Sequence, residues 1–202
     1  MAAEETRRNG GEQTSLKKGI MLYLHDLIHL LAFVMIVFVF LFRIVIVSGS
    51  SMYATLCDGD WLLVTGSAFF DNPQYGDIIV ASKDSFNFGE PIIKRVIATQ
   101  GQTVDIDFNA GIVYIDGIAL EEDYIYTPTN VEEGIVFPIT IAEGCIFAMG
   151  DNRNGSRDSR DPLIGMIDQR EILGKALFLI FPGAGEHRYE TTRDFTRIGV
   201  LK

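Results

Sequence analysis

Three short stretches of the sequence contain the residue types of a nucleophilic site. They are the serine-rich segment 48–52, the segment 92–96 around Lys94, and the polar run 150–160. A serine hydroxyl is a poor nucleophile until a neighbouring base accepts its proton, and a lysine amine can be that base when it is neutral. The three segments can act together only if the fold brings them to one place.

Lys94 lies in an apolar stretch of the kind that a lysine base requires. The ordinary pKa of a lysine is about 10.4, so neutrality near pH 7 requires lowering this pKa by roughly three units, or about 4 kcal/mol. Burial can lower it by about 3–5 units. Ile92 and Ile93 precede Lys94, and the positive charge of Arg95 beside it would also disfavour the ammonium form. In the alternative interpretation, Lys94 and Arg95 are ordinary surface charges on an edge strand.

A long apolar run precedes the serine-rich segment. Only His29 and Arg43 interrupt it strongly between residues 27 and 47, and its length is close to the ~20 residues that cross a ~30 Å hydrocarbon core. A cleaved signal peptide has a shorter apolar region of ~7–15 residues followed by a small-residue cleavage pattern, which this run lacks. We therefore predict a cytoplasmic tail over residues 1–19, one transmembrane anchor over residues 20–47, and an extracytoplasmic domain over residues 48–202.

The basic residues around the run set the expected orientation of the anchor. Arg7, Arg8, Lys17 and Lys18 precede it, whereas only Arg43 lies near its far end. The positive-inside rule then places the N-terminus in the cytoplasm. The first 15 residues are polar and are expected to be disordered. The protein is thus expected to be a single-pass protein of the cell membrane, with the lipid bilayer as a partner.

Charge and ligand types exclude several other functions. The net charge is −10 at pH 7, and nucleic-acid binding needs clustered Lys and Arg, so we expect no nucleic acid as a partner. His25 and His29 are at helical spacing but lack a third strong ligand nearby, and His187 lies among charged residues near the C-terminus. We expect no metal and no cofactor. Whether the two cysteines form a disulfide depends on geometry that the sequence does not contain.

The sequence after the apolar run has the pattern of many short strands. Turn signals such as Asp58-Gly59-Asp60 and Asp116-Gly117 separate the strand-like runs, and no amphipathic helix lies between them. These runs are residues 61–64, 77–81, 92–98, 103–107, 111–115, 136–141, 145–149 and 172–181. The pattern predicts a mainly β fold, an antiparallel β-sandwich or barrel-like catalytic domain with one N-terminal transmembrane helix.

Four segments in order along the chain resemble the conserved boxes of type I signal peptidases in their short, single-anchor form. The segments are 48–56, 76–80, 94–97 and 150–160, and the resemblance covers nearly the whole chain beyond residue 20. It implies a membrane-bound serine endopeptidase that removes signal peptides from exported preproteins by a Ser-Lys dyad and an acyl-enzyme. Preprotein signal peptides are then the expected substrates.

The resemblance also assigns roles to single residues. Ser51, directly before Met52, matches the nucleophile, and Lys94 matches the general base. Ser156 matches the hydroxyl that orients the lysine, while Asp158 and Arg160 match residues that support the site.

Further family positions concern the oxyanion and the substrate. The backbone N–H of Ser51 matches an oxyanion donor, and Gly49 stands where some family members add a serine hydroxyl. The small S1 and S3 pockets, which accept alanine-like residues, map to Val47, Met52, Leu56 and Ile93.

The sequence departs from the family pattern at two turns. Ala54 replaces the usual proline after the nucleophile, and Gln100-Gly101-Gln102 replaces Pro-Gly-Asp after the lysine strand. Neither change removes a reacting group, so we expect activity to survive with altered turn rigidity.

Two other functions are compatible with parts of this pattern. One is a non-catalytic relative that acts as an assembly or chaperone factor for surface proteins, and the presence of both Ser51 and Lys94 argues against it. The other is a Ser-Lys autoprotease of the repressor type, which shares the core fold. Such proteins are soluble and bind DNA, whereas this chain has an apolar anchor and an acidic exterior.

Overall fold

The computed structural model of the protein describes residues 2–184 and 193–201. It separates into a helical unit that ends at Leu41 and a β unit that begins at Phe42. His187, one of the histidines discounted above, lies outside the described residues.

The helical unit is one long helix, α1, which spans Ala2–Leu41. Residues 2–15, which belong to the segment expected to be disordered, are thus helical. The segment Lys18–Leu41 has 24 residues and a mean hydropathy of 2.4, enough by length and composition to cross a membrane. Its apolar side chains occur all around the helix, and Phe40 is 78% exposed. A helix that is apolar on every face is typical of a membrane span.

The β unit contains twelve short strands among its described residues, and their bounds agree broadly with the strand-like runs of the sequence. They are β1 (Phe42–Ile46), β2 (Trp61–Thr65), β3 (Ile78–Ala81), β4 (Ile92–Thr99), β5 (Thr103–Asp107), β6 (Ile112–Ile115), β7 (Ile118–Ala119), β8 (Ile139–Thr140), β9 (Cys145–Met149), β10 (Ile167–Asp168), β11 (Ile172–Phe181) and β12 (Gly199–Val200). Short 3-10 turns lie at Ser67–Phe69, Asn87–Gly89, Arg153–Gly155, Gln169–Glu171 and Phe195–Arg197.

Strand β1 lies where the apolar run alone suggests a continuing membrane helix. The helix ends at Leu41 rather than at Val47, and residues 42–46 pair with β2 in antiparallel register. The segment after Arg43 is Ile-Val-Ile-Val, and β-branched residues favour strands. One continuous apolar run therefore forms the end of helix α1 and then the edge strand β1.

All the strand pairs described are antiparallel, and they form two sheets. The larger sheet has the order β1-β2-β11-β3-β4-β9-β10, with β12 paired to β11, and the smaller has the order β7-β6-β5-β8. Inward-pointing strand residues form buried clusters, and Val47, Met52 and Leu56 of the segment between β1 and β2 belong to one of them. The predicted mainly β, antiparallel class with one N-terminal apolar helix is confirmed.

The pairing of the larger sheet determines what lies next to Lys94. In the β3–β4 pair Lys94 lies opposite Ile79, and in the β4–β9 pair Arg95 lies opposite Met149. Because β9 ends at Met149, the polar run 150–160 leaves the sheet beside the lysine strand. The two cysteines, buried Cys57 and half-buried Cys145, are both present as thiols.

We expect Gly174 to be required for the contact between β11 and β2. A Cβ at this position would lie 1.8 Å from the backbone oxygen of Thr65, whereas a Cβ on Gly199 of β12 would meet nothing within 4 Å. Gly174→Ala should lower the free energy of unfolding by about 3 kcal/mol, because a backbone atom has to move. Gly199→Ala should change it by less than about 0.5 kcal/mol.

Denaturant unfolding of the full chain in detergent micelles, followed by the fluorescence of Trp61, the single tryptophan, measures both variants. Equal stability of Gly174→Ala and Gly199→Ala would contradict this account of the β11–β2 contact.

Candidate active site

Ser51 lies in a tight turn that follows β1. The turn is closed by backbone hydrogen bonds from Tyr53 N to Ser50 O (3.1 Å) and from Leu56 N to Met52 O (2.8 Å). Gly49 has a φ of +91°, a left-handed conformation that glycine adopts without steric cost. Its N–H donates to Asp58 Oδ1 at 2.7 Å. These contacts bend the chain sharply from β1 into the turn that carries Ser51.

Lys94 brings its amine to the Ser51 hydroxyl. Lys94 Nζ donates to Ser51 Oγ at 2.9 Å and to the carbonyl oxygen of Ile93 at 3.0 Å. Only 4% of Lys94 is exposed. Burial lowers its pKa from 10.5 to about 8, against the opposing effect of nearby carboxylates, of which Asp158 is the strongest. A substantial fraction of the amine is therefore neutral near pH 8, and a serine is within its reach.

Ser156 is buried beside this pair but makes no hydrogen bond to Lys94. Among the described residues its Oγ has no hydrogen-bond partner at all. It packs against Gly150, where a Cβ would lie 2.2 Å from Ser156 Oγ and 2.4 Å from the Ser51 carbonyl oxygen. Gly150 thus lets the two serine segments approach each other. The expected role of Ser156 in orienting Lys94 stays a prediction.

Asp158 and Arg160 form a buried ion pair behind the dyad. Arg160 donates to both carboxylate oxygens of Asp158, at 2.8 and 2.9 Å, and to the carbonyl oxygens of Val131 and Arg153. Asp158 Oδ2 also accepts from Gly150 N at 2.9 Å. Both side chains are fully buried. The pair therefore fixes the loop that carries Ser156 against the end of β9.

A second buried ion pair was missed by the sequence reasoning. Arg95 donates to both oxygens of Asp151, at 2.9 and 2.8 Å, and its guanidinium lies 4.2 Å from the centre of the Tyr124 ring. Thr55 Oγ1 donates to Asp151 Oδ2 at 2.5 Å. Because successive residues of a strand point to opposite faces, Arg95 had to point away from Lys94. This alternation was the signal in the sequence from which a separate carboxylate partner for Arg95 could have been expected.

Asn152 links the turn that carries Ser51 to the polar run, and the sequence reasoning missed it as well. Its backbone N–H donates to the Ser51 carbonyl oxygen at 3.0 Å, and its Nδ2 donates to the Ser50 carbonyl oxygen at 3.1 Å. No local pattern in the sequence indicates this contact, which joins residues about a hundred positions apart.

Ser51 and Lys94 open onto a cleft of about 380 Å³. Three of the four expected pocket residues, Val47, Met52 and Ile93, line it. Leu56 does not line the cleft, because it is fully buried in the core cluster beneath it. The other lining residues are Val45, Ile46, Ser48, Val80, Glu90, Pro91 and Ile92. The walls are mostly apolar, which suits small apolar side chains of an extended peptide.

No group of three or more metal-ligating side chains occurs in the described part of the chain. The hydrogen bond between Lys94 Nζ and Ser51 Oγ at 2.9 Å is an arrangement that can activate a serine hydroxyl to attack a carbonyl group in the cleft.

Several known proteins are similar to this one in sequence. Residues 20–181 match the family model described as signal peptidase, peptidase S26. A probable signal peptidase I-1 of Synechocystis sp. is 41% identical over 145 residues, which cover 68% of this chain and 70% of that protein. Signal peptidase I of Bacillus amyloliquefaciens is 35% identical and covers 71% of this chain and 76% of the relative. Signal peptidase I of Bacillus licheniformis is 30% identical over 85% of this chain and 94% of the relative.

The buried pair Asp158–Arg160 should matter far more for stability than an exposed pair of the same spacing. Arg160→Ala leaves the Asp158 charge buried without its partner and should cost about 3–5 kcal/mol of unfolding free energy. Arg170 pairs with Asp168 at the same separation in sequence, but its side chain is 89% exposed. Arg170→Ala should not measurably shift the unfolding midpoint, since exposed pairs contribute little.

The midpoints of denaturant unfolding of the two alanine variants test this comparison. A loss in Arg160→Ala no larger than that in Arg170→Ala would show that the buried pair does not hold the loop.

Proposed function

The chain belongs to the signal peptidase family S26, and we propose that it is a membrane-anchored endopeptidase that cleaves signal peptides from exported preproteins with Ser51 and Lys94. The observation that carries the proposal is the 2.9 Å hydrogen bond between Lys94 Nζ and Ser51 Oγ. It joins a hydroxyl to an amine whose pKa is lowered by burial to about 8. A base with a pKa near the working pH is the most effective kind.

The proposed reaction proceeds in two halves. In the first, neutral Lys94 accepts the Ser51 proton while Ser51 Oγ attacks the scissile carbonyl carbon. The ammonium of Lys94 then donates this proton to the leaving amine, and an acyl-enzyme remains on Ser51. In the second, Lys94 takes a proton from a water molecule that attacks the ester. The mature protein departs with the leaving amine as its new N-terminus at the end of the first half, whereas the second half releases the signal peptide from the ester and returns a proton to Ser51.

The backbone N–H of Ser51 is the proposed donor to the oxyanion. No hydrogen bond from this N–H occurs within the described part of the chain. The N–H of Gly49 is occupied by Asp58 Oδ1 at 2.7 Å, and glycine has no hydroxyl to add. Because preorganised donors supply a large share of the catalysis of acyl transfer, the fixed geometry of this turn is central to the proposal.

Ser156 supports the proposed role of Lys94 in a different way. Its hydroxyl is buried without a partner, and a buried unsatisfied polar group costs about 1–3 kcal/mol. The hydroxyl lies beside Gly150, which in turn approaches the Ser51 carbonyl oxygen. We assign it to orient the Lys94 amine once the ammonium has lost its proton and no longer donates to Ser51.

The proposed substrate is the cleavage region of a signal peptide at the membrane. The apolar walls formed by Val47, Met52 and Ile93 would accept small side chains next to the scissile bond. Ser51 follows the end of α1 by ten residues, so the chain keeps it within about 35 Å of the end of the anchor. Tethering at the bilayer raises the effective concentration of a signal peptide that is still embedded in lipid.

Orientation in the membrane follows from the basic residues before the span. Arg7, Arg8, Lys17 and Lys18 precede it, and the positive-inside rule places them in the cytoplasm. The β unit would then lie on the extracytoplasmic face, where signal peptides emerge.

We expect Ser51→Ala and Lys94→Ala each to lower preprotein cleavage by at least about 10³-fold, because each removes a reacting group. Lys83→Ala is the matched control, since Lys83 Nζ is a partly buried amine that bonds to Met166 O at 2.6 Å, away from the cleft. Conversion of a purified preprotein to its mature form, followed on gels in detergent micelles, measures all variants. Normal processing by Lys94→Ala would refute the dyad.

The pH dependence of cleavage tests the base directly. Only neutral Lys94 accepts the proton, and its pKa is about 8. Therefore kcat/KM should rise about tenfold per pH unit below the midpoint and level off above it. Glu133→Gln should move the midpoint to lower pH, because the Glu133 carboxylate raises the pKa of Lys94. A flat profile from pH 6 to pH 9 would contradict the assignment.

A further inference from the structure

A C-terminal segment outside the family match contacts the turn that carries Ser51. The family model matches residues 20–181, whereas this segment consists of residues 193–201. It is held by the pairing of β12 with β11 and by a hydrogen bond from Leu201 N to Leu177 O at 2.9 Å. Leu201 also packs on the core cluster that contains Met52 and Leu56.

Arg197 is the residue of this segment that reaches the nucleophile turn. Its two terminal nitrogens donate to the two carboxylate oxygens of Asp60, at 3.1 and 2.6 Å. Its Nη2 also donates to the carbonyl oxygen of Thr55 at 3.2 Å. Thr55 follows Ser51 by four residues and lies next to Leu56, whose N–H closes the far end of the turn. The guanidinium therefore binds the turn at the end opposite to the nucleophile.

The ion pair between Arg197 and Asp60 differs from a surface ion pair because Asp60 is buried. Its side chain is fully buried, while that of Arg197 is 21% exposed. Besides Arg197, its oxygens accept from the backbone N–H groups of Cys57 at 2.7 Å and Gly183 at 2.6 Å. A carboxylate in this environment has to keep its cation, because a buried charge without a partner is costly.

Thr55 connects the Arg197–Asp60 ion pair to Ser51 and Lys94. Its carbonyl oxygen accepts from Arg197, and its hydroxyl donates to Asp151 Oδ2 at 2.5 Å. Asp151 is bound in turn by Arg95, the neighbour of Lys94 on β4. Thr55 of this turn is thus bound by Arg197 of the C-terminal segment through its carbonyl oxygen. Through its hydroxyl it is linked by way of Asp151 to β4, the strand that carries Lys94.

We propose that Arg197 is a positioning residue that sets Ser51 at hydrogen-bonding distance from Lys94, through Thr55 and Asp60. The proposal rests on the peptidase function proposed above. A small displacement of a reacting group costs catalysis much more than it costs substrate binding. Loss of Arg197 should therefore lower kcat and leave KM nearly unchanged.

The test compares three variants of the full chain in detergent micelles, with a purified preprotein as the substrate. Arg197→Ala should lower kcat at least about tenfold and change KM by less than about twofold. Arg197→Lys keeps a charge for Asp60 but lacks the planar fork that also reaches Thr55, so its kcat should be intermediate. Arg193→Ala is the control, because Arg193 donates to the Pro182 carbonyl oxygen and lies over the Phe181 ring.

Rates are compared at a temperature at which circular dichroism shows each variant to be folded. Wild-type kcat in folded Arg197→Ala, or an equal loss in Arg193→Ala, would overturn the positioning role. If Arg197→Ala does not fold, Arg197→Lys is the deciding variant. A kcat of Arg197→Lys equal to that of the wild type overturns the proposal, whereas a reduced kcat at unchanged KM supports it. Failure of the wild type itself to cleave the preprotein would instead refute the peptidase function, and the positioning role with it.

Discussion

The proposed chemistry of the site requires that the Lys94 amine can lose its proton inside the protein. Burial lowers the pKa of Lys94, and the nearby carboxylates oppose it, with Asp158 the strongest and Asp151 among them. Each of these two carboxylates is bound by a buried arginine, Arg160 in one case and Arg95 in the other. Arg160 therefore does more than fix a loop. Its positive charge lowers the pKa of Lys94 and so offsets part of the carboxylate field that would hold the proton on the amine.

Antiparallel pairing places these charges around one lysine. The β4–β9 pair delivers the polar run 150–160 beside Lys94, and Gly150, with no side chain, lets that run approach the Ser51 carbonyl oxygen. The turn after β1 is then held by Asn152 from the polar run. The short strands are thus the means by which segments far apart in sequence reach hydrogen-bonding distance.

The sequence predicted the fold class and the residues proposed to react, but not the long-range contacts. Ser51 and Lys94 could be named from motif order, and the short β-prone runs predicted the antiparallel sheets. The end of the helix could not be predicted, because the β-branched residues of β1 are as apolar as a membrane span. Leu56 was expected in the substrate pocket, since apolar positions of a core and of a pocket look alike in sequence. The pair Arg95–Asp151 was missed because nothing local links two residues 56 positions apart.

The most direct test is the titration of Lys94 itself. In full-length protein labelled with ¹³C at the lysine Cε, the resonance assigned through Lys94→Arg should titrate with a midpoint of about 8. The ordinary pKa of a lysine side chain is about 10.4. A Lys94 midpoint near that ordinary value would mean that the amine keeps its proton at working pH, and it would contradict the account of Lys94 as the base.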